Sequence, residues 1–419
     1  MLMKPPNNNT PPQGYRMTEL GALPEEWEVV SFESCIIKKN FKAKKIKQQD
    51  YKPYGKYPVI DQGQNMIAGY WDNKNEVFGE NLPVIIFGDH TRIIKYIDFP
   101  FVPGADGTRI LIPNISFISP KFFYYSLLNL KIPSRGYNRH FSLLREQKIP
   151  LPPLAEQQKI AAVLSAVQEA KEKTEAVISA TKAIKKSMMK HLFTYGPVSP
   201  EETETVLLKE TEIGPVPEDW HVVRLWEVAE KVKQKDPRRD PIHEFKYIDV
   251  SAISNDLLKI TSYSEFLGKD APHRARKAIQ TNDIIFATVR PYLKRIAMVP
   301  ENLNGQIAST AFCVIHCQKQ IANPYYIFYT VSLDNFIKGV SENQRGSSYP
   351  AVTDKDILNQ YIPLPPLPIQ QKIASILSAI DAKIEAEENK KQALEELFKT
   401  LLDNLMTAKI RVNHLEVPS

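Results

Sequence analysis

The residues best equipped for chemistry in this chain are basic, and they cluster in short runs. KKNFKAKKIK carries Lys38, Lys39, Lys42, Lys44, Lys45 and Lys47. HRARK holds Arg274, Arg276 and Lys277, and VRPYLKR holds Arg290, Lys294 and Arg295. Arg92 joins them, as do two Arg-Gly loops with polar and aromatic neighbours. One loop runs Arg135, Gly136, Tyr137, Asn138, Arg139, His140; the other runs Arg345, Gly346, Ser347, Ser348, Tyr349. Lysines are point charges that suit phosphates, whereas Arg and Asn can place paired hydrogen bonds on base edges. A solvated charged face would have the same composition, so position in the chain must decide between the two readings.

Signals for catalysis are missing. No G-x-x-x-x-G-K-[ST] occurs, and no glycine-rich S-adenosylmethionine or dinucleotide loop follows a strand, so ATP hydrolysis by this chain is not expected. No paired-carboxylate-plus-lysine nuclease pattern stands out. Cys313 and Cys317 with His316 between them lack a second ligand pair, so buried small residues are expected there, not a metal site. His90, His140 and His273 have no triad spacing. Asn323-Pro324-Tyr325-Tyr326 resembles the N-P-P-Y loop that holds the target amine in amino-methyltransferases, but it lacks the second proline. Its counterpart Ser119-Pro120-Lys121-Phe122 is a plain helix start, with Ser at N-cap and Pro at N1, and the same is expected at Asn323.

These groups sit on a chain that is written twice. TELGALPEEWEVV from Thr18 returns as TEIGPVPEDWHVV from Thr211, an offset of 193 residues. IPLPPLAEQQKIAAVLSA from Ile149 returns as IPLPPLPIQQKIASILSA from Ile362, an offset of 213. The unit is a G-x-x-P-E-x-W opening, a variable middle, then I-P-L-P-P-L and a long helix. The middles, residues 38–100 and 231–300, share only a coarse strand pattern, and most of the basic clusters lie in or beside them. Varied inserts on a fixed scaffold are where recognition usually sits, which favours nucleic acid over a solvated face.

The blocks read as α+β. Val84–Gly88, Arg109–Pro113, Asp283–Ala287 and Ala311–Ile315 are β-rich runs between turn residues, and an aromatic helix begins near Ser119 and again near Asn323. PLPPL is expected to break the element before it and lead rigidly into the helix. The two helices run from about Ala155 to Phe193 and from about Pro368 to Lys409, roughly 60 Å each at 1.5 Å per residue. Steps of four and three pick out Ile160, Leu164, Val167, Lys171, Thr174, Ile178, Thr181, Lys185, Met188 and Leu192 in the first. In the second they pick out Ile373, Leu377, Ile380, Ile384, Glu387, Lys391, Leu394, Phe398, Leu401 and Leu405. This is a coiled-coil seam with a polar layer in the middle. Each helix is expected to pair with the other, antiparallel, because two repeats about a two-fold axis place equivalent helices that way. Residues 196–210 read as a linker that needs no fixed structure, residues 1–17 as a disordered tail and residues 411–419 as a tail.

Composition agrees. The chain has 419 residues, 43% hydrophobic and 24% charged, which fits two or three globular domains. The net charge of +6 lies wholly in residues 1–153, with 20 Lys and Arg against 14 Asp and Glu. Three cysteines are too few for a disulfide framework, no stretch of about 18 apolar residues is present, and a reducing, cytoplasmic home is expected.

With both frames in view, residues 18–409 resemble the specificity (S) subunit of type I restriction-modification systems. The resemblance is carried by the G-x-x-P-E-x-W opening, the I-P-L-P-P-L-x-x-Q-Q-K-I-A passage and the long helix, each present twice. It implies target-recognition domains at 18–150 and 211–363, a central conserved helix at 151–195 and a C-terminal one at 364–410. Each domain would read one half of a bipartite site in double-stranded DNA. The helices would set the spacing and dock two methyltransferase (M) subunits, and nuclease-translocase (R) subunits would join that core. S-adenosylmethionine, ATP and Mg would then belong to those partners, with no catalytic residue, cofactor, metal or membrane contact on this chain. Unlike middles imply unlike half-sites, with centres about 34–36 Å apart if they lie one helical turn from each other. The rival readings are a stand-alone DNA methyltransferase or nuclease, and a coiled-coil adaptor without DNA binding.

Overall fold

The repeated opening folds the same way in both halves. The computed structural model describes residues 11–38, 44–136, 138–346 and 350–415. Gly21 and Gly214 close their turns at φ +103° and +98°, in the left-handed region where a side chain is strained. Thr18 and Thr211 donate their hydroxyls to the carbonyls of those glycines at 2.8 and 2.6 Å. Trp27 and Trp220 follow, both buried. Strand Glu28–Ser31 then pairs antiparallel with Lys148–Leu151, and His221–Arg224 with Tyr361–Leu364. The start of I-P-L-P-P-L is therefore itself a strand, where a break was expected. A two-stranded ladder leaves each strand a free edge, which tolerates the missing N–H of Pro150 and Pro363.

Seven helices are present among the described residues: α1 (Pro120–Asn129), α2 (Phe141–Arg145), α3 (Leu154–Tyr195), α4 (Pro324–Val331), α5 (Asp334–Ser341), α6 (Asp354–Leu358) and α7 (Leu367–Met406). The Q-Q pair of the repeat ties α1 and α4 to the long helices. Gln157 accepts the Ser119 N–H at 2.8 Å and donates to the carbonyls of Phe117 and Pro152 at 3.0 and 2.8 Å. Gln370 repeats this on Asn323, Ile321 and Pro365 at 2.8, 3.0 and 2.8 Å. One buried carboxamide thus satisfies three backbone groups that would otherwise be orphaned at a turn and a helix start.

The chain divides into two compact units, residues 1–175 with 388–419, and residues 176–387, so the division falls inside each long helix. In the first unit, strand Val84–Gly88 lies between Ile94–Ile97 and Thr108–Leu111, and Tyr57–Ile60 lies between Gly69–Trp71 and Val102–Pro103. Its core gathers Trp27, Phe32, Phe122 and Phe123 with Ile160 and Leu164 of α3 and Leu402 and Leu405 of α7. Ion pairs Lys171–Glu395 (3.7 Å) and Glu175–Lys391 (3.1 Å) show the two helix portions of this unit running in opposite directions.

The second unit has two four-stranded sheets. One is ordered Ala229–Glu230, Phe312–Cys317, Ile284–Ala287, Ile296–Met298; the other is ordered Ser264–Leu267, Glu244–Ile248, Ile307–Ser309, Ala275–Ala278. Leu192 and Phe193 of α3 share its core with Ile373 and Leu377 of α7, and Lys185 pairs with Asp381 at 2.6 Å. Every seam position in both helices, the polar layer included, is buried or half-buried.

Segments expected to lack structure carry some. Tyr15–Thr18 is a strand of a hairpin with Gly21–Pro24, and residues 1–10 lie outside the described residues. The linker holds a short 3-10 turn at Pro200–Thr205, and strand Leu208–Lys209 pairs with Val216–Pro217. At the C-terminal end Val412 is buried and Arg411 is ion-paired; residues 416–419 lie outside the described residues. No helix among the described residues is long and apolar enough to cross a membrane.

Candidate nucleic-acid interface

In the first unit one loop-bearing edge is built around Asp89, which follows strand Val84–Gly88. Its side chain is 1% exposed. Oδ2 accepts from Arg109 Nε and Nη2 at 3.1 and 3.0 Å, and Oδ1 accepts the N–H groups of His140 and Phe141 at 3.0 and 2.9 Å. Burial pulls the Asp89 pKa up, but the Phe141 amide, the Arg109 guanidinium and the His140 amide outweigh it and hold the carboxyl below its ordinary value. His140 is fully buried. Its Nδ1 sits 3.0 Å from the Asp89 carbonyl, and its Nε2 accepts the Arg135 N–H at 3.0 Å. Only the neutral Nδ1–H tautomer satisfies both bonds. Arg135 and His140 are thereby pinned to the end of the central strand.

Other loops join this edge. Lys45 Nζ donates to the Thr108 carbonyl at 2.6 Å, and its pKa is lowered by burial first and the nearby Arg109 second. Gly107, at φ +73°, lets its backbone approach His90 and Gln62; a Cβ there would lie 2.7 Å from the His90 ring. Arg92, Arg135, Asn138 and Arg139 are exposed around this rim, with Arg109 at 40%.

The second unit ties the flanks of its Arg-Gly segment, Arg345 on one side and residues 350–352 on the other, to the end of its own central strand. The Val352 N–H donates to the Thr288 carbonyl at 2.9 Å, as the His140 N–H does to Asp89 at 2.8 Å. The Arg290 N–H donates to Pro350 at 2.8 Å, and Arg345 and Ala351 exchange both backbone bonds. Arg274, Arg290 and Arg345 are exposed along this edge.

Many of the basic candidates have internal partners. Arg276 pairs with Asp236 at 3.4 Å, Lys277 with Asp354, Lys294 with Asp334 at 2.5 Å, and Arg295 donates to the Val250 carbonyl at 2.7 Å. Lys38 pairs with Glu33 at 2.9 Å, Lys44 lies 3.6 Å from Glu76, and Arg92 donates to the Ile132 carbonyl at 2.9 Å. Arg345 also lies 3.6 Å from Asp356. Lys47 is exposed. Lys39, Lys42, Tyr137, Ser347 and Tyr349 lie outside the described residues. Sequence reading missed Asp89 and Arg109, because the hub forms only when three distant loops meet.

The alternative chemistries find no support in the geometry. Asn323 Oδ1 accepts the Tyr326 N–H at 3.1 Å as a helix cap, and Tyr326 is fully buried with its hydroxyl donating to Pro363 at 2.9 Å. His316 Nδ1 turns to Asp283 at 2.5 Å, and burial pushes the Cys317 thiol up to about 12. Among the described residues no group of three or more His, Cys, Asp or Glu is placed to hold a metal ion.

Two copies of one frame, each presenting a basic loop edge, define a protein of two like-built modules with unlike surfaces. The family model described as type I restriction modification DNA specificity domain matches residues 24–180 and again 217–396, so the chain belongs to that family. It is a DNA sequence-specificity subunit of the type I restriction-modification kind. A putative type I restriction enzyme MjaX specificity subunit of Methanocaldococcus jannaschii is 29% identical, over 96% of this chain and 97% of its own. The MjaVIII specificity subunit of the same organism is 27% identical over 94% and 95%. The type I restriction-modification S subunit from M. genitalium matches in fold with a TM-score of 0.61, at 17% identity, over 90% of this chain and 96% of that one.

Proposed function

We propose that each unit reads one half of an asymmetric bipartite DNA site, and that α3 and α7 form one continuous antiparallel coiled coil that sets the interval. On this reading the chain itself performs no chemistry. Methyltransferase subunits dock on the helices, nuclease-translocase subunits join them, and S-adenosylmethionine, ATP and Mg act on those partners. The observation that carries the reading is the contrast between what repeats and what does not. Gln157 and Gln370, both buried, make the same three bonds to backbone groups. The exposed edges, built on Asp89 and Arg109 in one unit and on Thr288 and Arg290 in the other, differ in nearly every side chain. A shared frame with different edges suits two different half-sites.

The opposed helix directions within each unit support the bar, since the same sense holds at Lys171–Glu395 and at Lys185–Asp381. Ile184 of α3 and Leu397 of α7 occupy the same repeat position and are 55% and 45% exposed. A single exposed apolar side chain is ordinary on any surface; these two serve as paired test positions because one kind of partner on two like helices would meet equivalent residues. The phosphate contacts come from Lys45, Lys47 and Arg139, and from Arg274 and Arg290 in the other unit. The deciding experiment is base-resolution methylome mapping after co-expression with the cognate methyltransferase subunit. The expected result is one asymmetric motif with a gap of unread bases. A continuous or palindromic motif would overturn the reading.

A further inference from the structure

The loop from Asp61 to Ile67 in the first unit is held more firmly than the fold requires. Lys95, on the edge strand Ile94–Ile97, is 4% exposed. Its Nζ donates to the carbonyls of Asp61 and Asn65 at 2.8 and 2.6 Å and lies 3.8 Å from Asp61 Oδ1. Burying an ammonium is expensive unless its protons are used, and here they are used on the loop backbone. The Gly63 N–H donates to Asp61 Oδ1 at 2.8 Å. The Thr91 hydroxyl donates to the Gln62 carbonyl at 2.6 Å, and the His90 N–H to Gln62 Oε1 at 3.1 Å.

Every one of these bonds fixes the root or backbone of the loop. None occupies the side chains of Gln64, Asn65, Met66 or Ile67, all of which are exposed, Met66 at 50% and Ile67 at 38%. The second unit uses the same device with other residues. Arg295, next to edge strand Ile296–Met298, donates to the Val250 carbonyl just after strand Glu244–Ile248. A fixed backbone that carries two adjacent carboxamides and two apolar side chains has a definite chemical use. A carboxamide offers one donor and one acceptor in the spacing of adenine N7 and N6, and apolar atoms meet the thymine methyl. The loop also joins the basic rim directly, because His90 and Thr91 follow Asp89.

We propose that Gln64–Ile67 is a base-reading element that selects an A·T pair in the major groove of the first unit's half-site, with Lys95 as its positioning residue. This rests on the reading of the chain as a sequence-specificity subunit. The test is methylome mapping of the full complex carrying Gln64→Ala or Asn65→Ala, both surface changes that leave the core intact. Discrimination at one or two A·T positions of one half-site should fall roughly 5- to 150-fold and appear as degenerate bases, while the other half-site stays intact. Affinity for random-sequence duplex should stay within about twofold, because base contacts add little to non-specific binding. Lys95→Met should blur the same positions. An unchanged motif in both alanine variants, or degeneracy spread over both half-sites, overturns the proposal. Absence of any bipartite motif for the unaltered chain would instead sink the underlying reading, and this proposal with it.

Discussion

If α3 and α7 act as a ruler, lengthening both by one heptad should lengthen the gap between the half-sites. The insertions belong after Glu175 and after Lys390. There they leave Lys171–Glu395 and Glu175–Lys391 on one side and Lys185–Asp381 on the other, so these three ion pairs survive. Seven residues rather than four or five are needed because the apolar seam repeats on that period. The added length is about 10.5 Å at 1.5 Å per residue. At roughly 3.4 Å per base pair this corresponds to about three more unread pairs. Three pairs also turn the second half-site by about 100°, given 10–10.5 pairs per turn, whereas a heptad turns a straight helix by only about 20°. Methylation should therefore slow as the gap grows. The assay is the methylome of cells co-expressing the lengthened chain with its methyltransferase subunit. A complex that still methylates the original gap would remove the helices from their measuring role.

Four further outcomes follow from particular contacts. Gln157→Ala and Gln370→Ala each strip three backbone partners, of which the Pro152 or Pro365 carbonyl is the buried one; at about 1–3 kcal/mol for that bond and about 0.5–1.5 kcal/mol for each of the two half-buried ones, each variant should lose roughly 2–6 kcal/mol in denaturant unfolding, and the two losses should match. A large difference between them would deny the shared role. Arg411 bonds Glu156, whose side chain is 5% exposed, at 2.6 Å. Arg411→Ala should cost about 3–5 kcal/mol by leaving that buried carboxylate with the Trp27 indole N–H but no cation, and adding Glu156→Ile, which copies Ile369 of the second unit, should recover part of it, less the cost of the Trp27 N–H left unpaired. Asp89 has a folded pKa below its unfolded one, so its contribution is present at neutral pH and is lost as pH falls below about 4; Asp89→Asn should melt at lower temperature at pH 7 and show a flatter acid limb, and parallel limbs would refute this. Ile184→Glu or Leu397→Glu should each reduce the number of bound methyltransferase subunits by one in native mass spectrometry, and full occupancy in both variants would place docking elsewhere.

Patterns that recur at fixed offsets were legible from residues alone. The doubled frame, the aromatic helices at Ser119 and Asn323 and the strands near Val84 and Ile284 all rest on local chemistry: a cap, a proline, an apolar run. The Q-Q pair was legible as a motif, yet its role was not, because the partners of Gln157, two just before α1 and one in the proline turn, lie up to 40 residues away. The basic clusters were visible as charge, but charge does not say what it is paired with. Arg276, Lys277 and Lys294 turn to acidic neighbours, and Arg295 turns to a carbonyl, so much of the charge in HRARK and VRPYLKR is spent inside the unit.

Residue spacing by itself determined that one scaffold is used twice and that a long apolar stripe follows each copy, since periodicity is a property of the chain before it folds. Tertiary structure decided which groups meet. Arg411 reaches Glu156 across 255 residues, Arg109 and His140 converge on Asp89, and Lys95 is buried beneath a loop some thirty residues away. Such contacts depend on where separate loops return to one place. No local preference encodes that return; it is set by the packing of the whole unit around them.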